Sequence, residues 1–302
     1  MAEAGQFDEH GLGDECTTRA ADWRTMVRRP PPAGADGAPA PAGDILTGTA
    51  RRRGTRWGGI RGMAEYVYRP VLHTALGLFR ALRLQLDVRG EENVPASGGG
   101  VVLINHVSYL DFALAGVPFW WSQRRMVRFM AKKQVFDHRV SGPLMRGMHH
   151  IPVDRAAGAG SLRAAVRALG DGELVGVFPE ATINPSYCLA PFKSGAARMA
   201  AEADVPVIPL VVWGSQRILT KDRPRNLRAA VGTPVSITVG KPVPASALQD
   251  AQAGTALLEL TVREILDDAQ RRYPDPPPGE SPWWLPAHLG GSAPEPPARP
   301  TP

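Results

Sequence analysis

The sequence predicts an α/β fold: a largely parallel central sheet flanked by helices and preceded by an amphipathic helical pair. Two observations carry the sheet. Four short apolar runs, at residues 101–104, 174–178, 207–212 and 235–239, have the length and bounding turns of strands. Helix-like stretches, Ser161 to Leu169 and Gly195 to Ala203, stand between them, and strands alternating with helices build a parallel sheet with covered faces.

Taken in order, residues 1–56 are rich in Ala, Gly, Pro and Asp and hold too few large apolar side chains to offset chain entropy, so a disordered tail is expected. Residues 57–89 form an amphipathic segment. Met63, Val67, Val71, Leu72, Leu76, Phe79, Leu82 and Leu86 recur at helical steps among Arg61, Arg69, Arg80 and Arg83. Pro70 is expected to split this segment into two helices. Such a pair can lie over the domain's own core or on an anionic bilayer, where each interfacial arginine adds about 1 kcal/mol. Residues 90–272 hold the main folded domain and close on a helix at about 245–272; the tail at 273–302 is Pro-rich, and its Trp283 and Trp284 can dock on the domain or at a membrane interface.

The formal charge of +6 calls for an anionic partner: a phospholipid headgroup, a phosphorylated substrate or nucleic acid. Nucleic acid is disfavoured, because the basic residues follow no recognition helix, zinc finger or stacking motif. Cys16 and Cys188 lie far apart with no neighbouring ligand at metal spacing, so no metal is expected and a reducing compartment fits. No apolar stretch reaches the ~18 residues of a spanning helix, and no signal peptide opens the chain, so a peripheral or monotopic place on the cytoplasmic face of a membrane is expected.

The residues that bear chemistry begin where the first apolar run ends, in Asn105-His-Val-Ser-Tyr-Leu-Asp111. In one helix, residues five apart do not face each other, so His106 and Asp111 can pair only across a loop-to-helix junction. Ser108 and Asp111 match the Ser-x-x-Asp pattern of a capped helix start, which supplies that junction. Spacing alone leaves two readings open: Asp111 as a cap beside an ordinary loop histidine, or a catalytic pair. In the second, neutral imidazole takes a proton from a substrate hydroxyl as it attacks a thioester, while the carboxylate fixes the tautomer and stabilises the imidazolium.

Three further stretches follow: Ile151-Pro-Val-Asp-Arg155, then Val177-Phe-Pro-Glu-Ala-Thr182 with Phe192-Lys-Ser-Gly195, and Val205-Pro-Val-Ile-Pro-Leu210. In this order, with the His-Asp run, they resemble the four blocks of the lysophosphatidic acid and glycerol-3-phosphate acyltransferase family, over about Val101 to Gly214. The resemblance implies a glycerolipid acyltransferase-like fold, His106 as general base and Asp111 as its orienting partner. It implies that Arg155 binds the acceptor's phosphate, that Lys132 of the Lys132-Lys133 pair lines the phosphate end of the groove, and that Glu180 and Thr182 shape the acceptor pocket. Two departures bear on the acceptor. Ala181 replaces the usual Gly and disfavours a positive φ there, so the loop is expected to take a form alanine tolerates. Ile183 replaces a common Arg, so Arg155, Lys193 or the lysines at 132 and 133 must carry more of the phosphate's charge. The prolines at 206 and 209 point to a bulge or an edge strand rather than to chemistry. Phe119, Trp120 and Trp121 beside Arg124, Arg125 and Arg128 read either as a headgroup- or nucleotide-binding cluster or as a core helix with a charged outer face.

The expected reaction moves a fatty acyl group from acyl-CoA or acyl carrier protein, as co-substrate rather than cofactor, to lysophosphatidate on an anionic membrane surface. Glycerol-3-phosphate or another lysophospholipid is the alternative acceptor. The readings from other classes are a lipid esterase, which lacks a Gly-x-Ser-x-Gly elbow here, and a catalytically silent membrane-surface protein.

Overall fold

The computed structural model describes residues 58–154, 158–224, 226–276 and 282–295. The tail expected at 1–56, Cys16 within it, and Arg155 lie outside the described residues. The chain runs through α1 (Gly58–Ala81), β1 (Gln85–Arg89), β2 (Gly100–Ile104), α2 (Asp111–Ala115), α3 (Val117–Gln123) and β3 (Val127–Lys132). It continues through α4 (Lys133–Asp137), α5 (Ser141–Gly147), β4 (Ile151–Val153), α6 (Gly158–Gly170) and β5 (Leu174–Val177). Then come α7 (Gly195–Ala203), β6 (Val207–Trp213), α8 (Leu227–Ala230), β7 (Pro234–Val239) and α9 (Ala251–Arg272).

The seven strands form one sheet in the order β1-β7-β6-β2-β5-β3-β4, and every neighbouring pair is parallel except β6 with β7. Strand β2 explains why the sheet needs helices on both sides. All five of its residues are buried, because successive side chains leave on opposite faces. Val101 and Leu103 pack with Leu169, Met199, Leu258 and Val262 from α6, α7 and α9. Val102 and Ile104 pack with Phe79 of α1, Leu114 of α2 and Phe119 of α3. Each such side chain contributes about 1.5–3 kcal/mol by leaving water.

Pro209 sits inside β6, between β2 and β7. It is accommodated by a bulge, one of the two settings expected for it. Val207 pairs with Val243 and Leu210 with Val239, so two residues of β6 face three of the partner segment. Gly240 donates to the Pro209 carbonyl at 2.8 Å, which places the proline's missing N–H at the interruption, where the ladder does not need it.

Three expectations about the flanks change. The helical pair is a single helix, α1, that runs through Pro70. Proline in a helix interior forfeits one backbone bond at about 3 kcal/mol; here Tyr68, Leu72 and Phe79 are buried from one face of α1, and the Tyr68 hydroxyl donates to the Val127 carbonyl at 3.1 Å. Tertiary packing outweighs the break. The sheet also begins before residue 90, since Gln85–Arg89 pairs along its whole length with β7. Finally, the closing helix starts at Ala251, where the Asp250 carboxylate accepts from the N–H groups of Gln252 and Ala253, both at 2.8 Å. Beyond it, Trp284 is 1% exposed within the core, so the tryptophans dock on the protein's own domain.

Candidate active site

The site is built where β2 ends. Asn105 stands just past the strand, and its side-chain amide makes two bonds to Val212 of β6: its NH2 donates to the carbonyl at 3.0 Å, and its oxygen accepts the N–H at 2.8 Å. The backbone then turns. The N–H groups of Val107 and Ser108 both donate to Oδ2 of Asp111 at 2.7 Å, and the Ser108 hydroxyl accepts from the N–H of Leu110 at 3.1 Å. The two side chains thus bond reciprocally, as in Ser-x-x-Asp, but across the turn before α2, whose own N-cap is Leu110 without a side-chain bond. The same Oδ2 lies 3.1 Å from Nδ1 of His106, while Oδ1 accepts the Ser215 hydroxyl at 2.7 Å. The carboxylate that closes this turn is also the one that meets the histidine.

Asp111 is 0% exposed, and a buried carboxylate is tolerable only when its lone pairs are met; four donors meet them here. The imidazole is 21% exposed and stacks on Phe178, with centroids 4.3 Å apart and planes 29° apart. Phe178 in turn stacks on Phe129 at 6.2 Å. A carboxylate only accepts, so Nδ1 is the donor of this bond, and in a neutral imidazole that leaves the lone pair on Nε2.

Glu180 holds the loop from the other side. One carboxylate oxygen accepts the His106 N–H at 2.8 Å and the other accepts the Ala190 N–H at 2.9 Å. Burial pushes its pKa up to about 7, against the opposing pull of those two donors and with the charges of Asp111 and Glu259 adding to the rise. Its carboxylate is thus turned onto backbone, joining the histidine loop to the segment before α7. Ala181, next to it, has φ +59°. The expectation that alanine would force another loop form is therefore corrected. The left-handed conformation that suits glycine is kept with a methyl group in place, and the Ala181 N–H donates to the Phe178 carbonyl at 3.1 Å to close the turn.

The other expected residues are less tightly held. Lys132 is the last residue of β3 and is exposed, at the same carboxyl end of the parallel strands that His106 follows. Lys133 reaches Asp154 at 3.6 Å. Lys193 is exposed, and its backbone N–H donates to the Pro179 carbonyl at 3.1 Å, which brings it beside the Glu180 turn. Thr182 is exposed in the same turn and lies at no helix start. Ile183 is 4% exposed, so the position that replaces an arginine points into the protein. Most of the aromatic and basic cluster serves the fold. Phe119 is core, Arg125 donates to the carbonyls of Pro95, Gly98 and Gly172, and Arg128 is buried between Glu173 and the Met148 carbonyl. Arg124 lies over the Trp120 ring at 5.2 Å, and Trp121 remains 43% exposed.

An outer layer, not singled out from the sequence, backs the loop. The Leu219 carbonyl accepts both the Ser108 hydroxyl at 2.5 Å and the Tyr109 N–H at 3.1 Å, and the Thr220 hydroxyl donates to the Val107 carbonyl at 2.8 Å. The only signal for Ser215 is a small polar residue just past a glycine that ends an apolar run. Among the described residues no cluster of His, Cys, Asp and Glu could hold a metal ion.

Comparison with known proteins gives the same outline. A family model described as Acyltransferase matches residues 85–213. A 1-acyl-sn-glycerol-3-phosphate acyltransferase of Bacillus subtilis (strain 168) is 29% identical over 162 residues, which cover 53% of this chain and 79% of that one. The alpha form from Mus musculus is 30% identical over 194 residues, covering 61% of this chain and 66% of the mouse protein. In fold, the chain is similar to the crystal structure of the 1-acyl-sn-glycerophosphate (LPA) acyltransferase of Thermotoga maritima. The TM-score is 0.58 at 23% identity, over 70% of this chain and 83% of that one.

Proposed function

Because the chain belongs to the 1-acyl-sn-glycerol-3-phosphate acyltransferase family, we propose that it transfers a fatty acyl group from a thioester of coenzyme A or acyl carrier protein to the free hydroxyl of lysophosphatidate, giving phosphatidate. The observation that carries the reading is the imidazole of His106, fixed at Nδ1 by a fully buried carboxylate 3.1 Å away and partly open to solvent. Nε2 of His106 takes the proton of the acceptor hydroxyl as its oxygen attacks the thioester carbonyl; the carbon–oxygen bond forms, the carbon–sulfur bond breaks, and the imidazolium returns the proton to the departing thiolate. Asp111 stabilises that imidazolium. No nucleophilic side chain is needed. Lys132 and Lys193 supply positive charge for the acceptor's phosphate, together with Arg155 from outside the described residues. Glu180 braces the base, and Thr182 lines the acceptor side of the turn.

The same reading puts the protein on the cytoplasmic face of an anionic membrane. No described helix is long and apolar enough to cross one. Tyr66 and Leu78 of α1 are exposed, and α5, which packs against α1, exposes Leu144 and is preceded by Val140 at 70% exposure. Lys132, Lys133, Arg139 and Arg146 are exposed in the same stretch of sequence as Val140 and Leu144, and apolar groups interleaved with cations suit a lipid headgroup layer.

The test is purified protein on vesicles with palmitoyl-CoA or palmitoyl-carrier protein and a panel of acceptors: lysophosphatidate, glycerol-3-phosphate and a zwitterionic lysophospholipid. Phosphatidate formed from lysophosphatidate is the expected product. Acyl release with no acceptor present would replace this reading with an esterase, and vesicle binding without any transfer would replace it with a silent surface protein.

A further inference from the structure

The family match ends at residue 213, and the hydroxyl that holds Oδ1 of the dyad's aspartate comes two residues later. We infer that Ser215 is a positioning residue for His106 and Asp111, and that the C-terminal segment at 282–295 sets its position. The inference rests on the acyl-transfer reading of the site.

Ser215 is fully buried and donates to Asp111 at 2.7 Å. Its turn is short and needs backing to stay in place. Gly214, at φ +95°, lets the chain leave β6 beside the Pro234 carbonyl, where any Cβ would collide with that oxygen. The Gly214 N–H donates to Oε1 of Gln216 at 2.9 Å, and the Gln216 amide donates to the Trp284 carbonyl at 3.3 Å. The Arg217 guanidinium lies 4.5 Å over the Trp284 ring and donates to the Tyr273 hydroxyl at 3.4 Å. Tyr273 meets Trp284 edge-on at 5.5 Å and donates to the Pro234 carbonyl at 2.7 Å. One tryptophan thus backs both sides of the turn that presents Ser215.

The neighbouring tryptophan backs the rest of the same segment. Arg223 lies over Trp283 at 4.8 Å, and Trp283 meets Tyr187 at 6.4 Å. Between Arg217 and Arg223 stand Leu219 and Thr220, whose bonds to Val107, Ser108 and Tyr109 close the histidine loop from outside. The tail therefore clamps a strap, residues 214–223, and the strap contacts the catalytic loop at both Asp111 oxygen and backbone. A catalytic group held to a fraction of an ångström depends on such support.

The test uses the full chain with Ser215→Ala, Gln216→Met, Trp284→Ala and the double variants that combine the last two with Ser215→Ala. Two measurements are made: kcat and KM with palmitoyl-CoA and lysophosphatidate, and amide exchange of residues 105–111, which needs no substrate. Ser215→Ala should lower kcat about tenfold to a hundredfold, with both KM values within about twofold. Gln216→Met and Trp284→Ala should each lower kcat severalfold alone and add nothing in the Ser215→Ala background, because they act through that hydroxyl. All three should speed exchange at Val107 and Ser108. If Trp284→Ala does not fold, Gln216→Met carries the same comparison at constant volume. Unchanged kcat and exchange in Ser215→Ala, or losses that multiply in the double variants, would overturn the inference. Wild-type protein that transfers no acyl group would instead overturn the functional reading, and the exchange data would still decide the positioning.

Discussion

The two sides of the site are built differently. On the base side, Asp111 is buried with four donors on its two oxygens, and the His106 ring is pinned at Nδ1, at its backbone N–H and across its face by Phe178. On the side proposed for the anion, Lys132, Lys193 and Thr182 are exposed, and Ile183, which stands in place of a common arginine, is buried. Under the acyl-transfer proposal, the contrast follows the tasks. A base must meet its proton at a set distance before the substrate arrives, whereas a lysine acts as a mobile point charge that settles when the phosphate does.

That contrast can be broken most directly at the imidazole. His106→Ala should lower kcat by about two to four orders of magnitude in protein that still folds; near-normal turnover in a folded variant would end the base assignment. Asp111→Asn is the sharper instrument, since an amide oxygen can accept the three bonds to Oδ2 while its NH2 faces a Ser215 hydroxyl free to turn. It removes charge and leaves shape, and it should cost about a hundredfold in kcat through the unsupported imidazolium.

Glu180 gives the next effect, in stability rather than turnover. Its pKa in the fold, about 7, stands above its ordinary value of 4.5. A carboxyl raised on folding contributes stability that is full below the ordinary value and is lost as pH rises through the folded value. The loss amounts to about 3 kcal/mol at most. Urea unfolding between pH 4 and 8 should show wild type weakening over this window relative to Glu180→Gln. A constant gap between the two would mean that the paired backbone donors outweigh burial.

The anion side should yield smaller changes. Lys132→Ala and Lys193→Ala should each raise the KM for lysophosphatidate by about twofold to fivefold, leave kcat in place and matter less as salt is added. A loss in kcat instead would place these lysines among the pre-set groups. Smallest is Ala181→Gly. Relief of a left-handed alanine, about 1 kcal/mol, is offset in part by glycine's freedom in the unfolded chain, so a net gain below about 1 kcal/mol in urea unfolding is expected. A loss would reveal a useful contact of the methyl group.

How much of this was legible follows from whether a signal was local. The four apolar runs became β2, β5, β6 and β7 because burial on both faces leaves a run of large side chains. β1 escaped notice as a five-residue edge strand whose polar side chains alternate with Leu86 and Val88. β3 hid behind Arg128, a charge that can be buried only because Glu173 and the Met148 carbonyl, distant in sequence, receive it. α1 was divided at Pro70 because its packing against Trp120 and Met148 cannot be read from spacing. In the site, His106 and Asp111 are five residues apart and could be paired on paper. Ser215 lies 104 residues from its partner, and only the fold brings them together.

Asn105 gives the site a mechanical character. Its side chain offers Val212 one donor and one acceptor, the pair that a further residue of β2 would have offered. The sheet is in effect one rung longer than the strand, and the main chain is released to turn its N–H toward Glu180. The imidazole is thereby anchored to the central sheet two residues past the end of β2. Under the acyl-transfer proposal, the acceptor hydroxyl is therefore brought to a base whose position the sheet has already set.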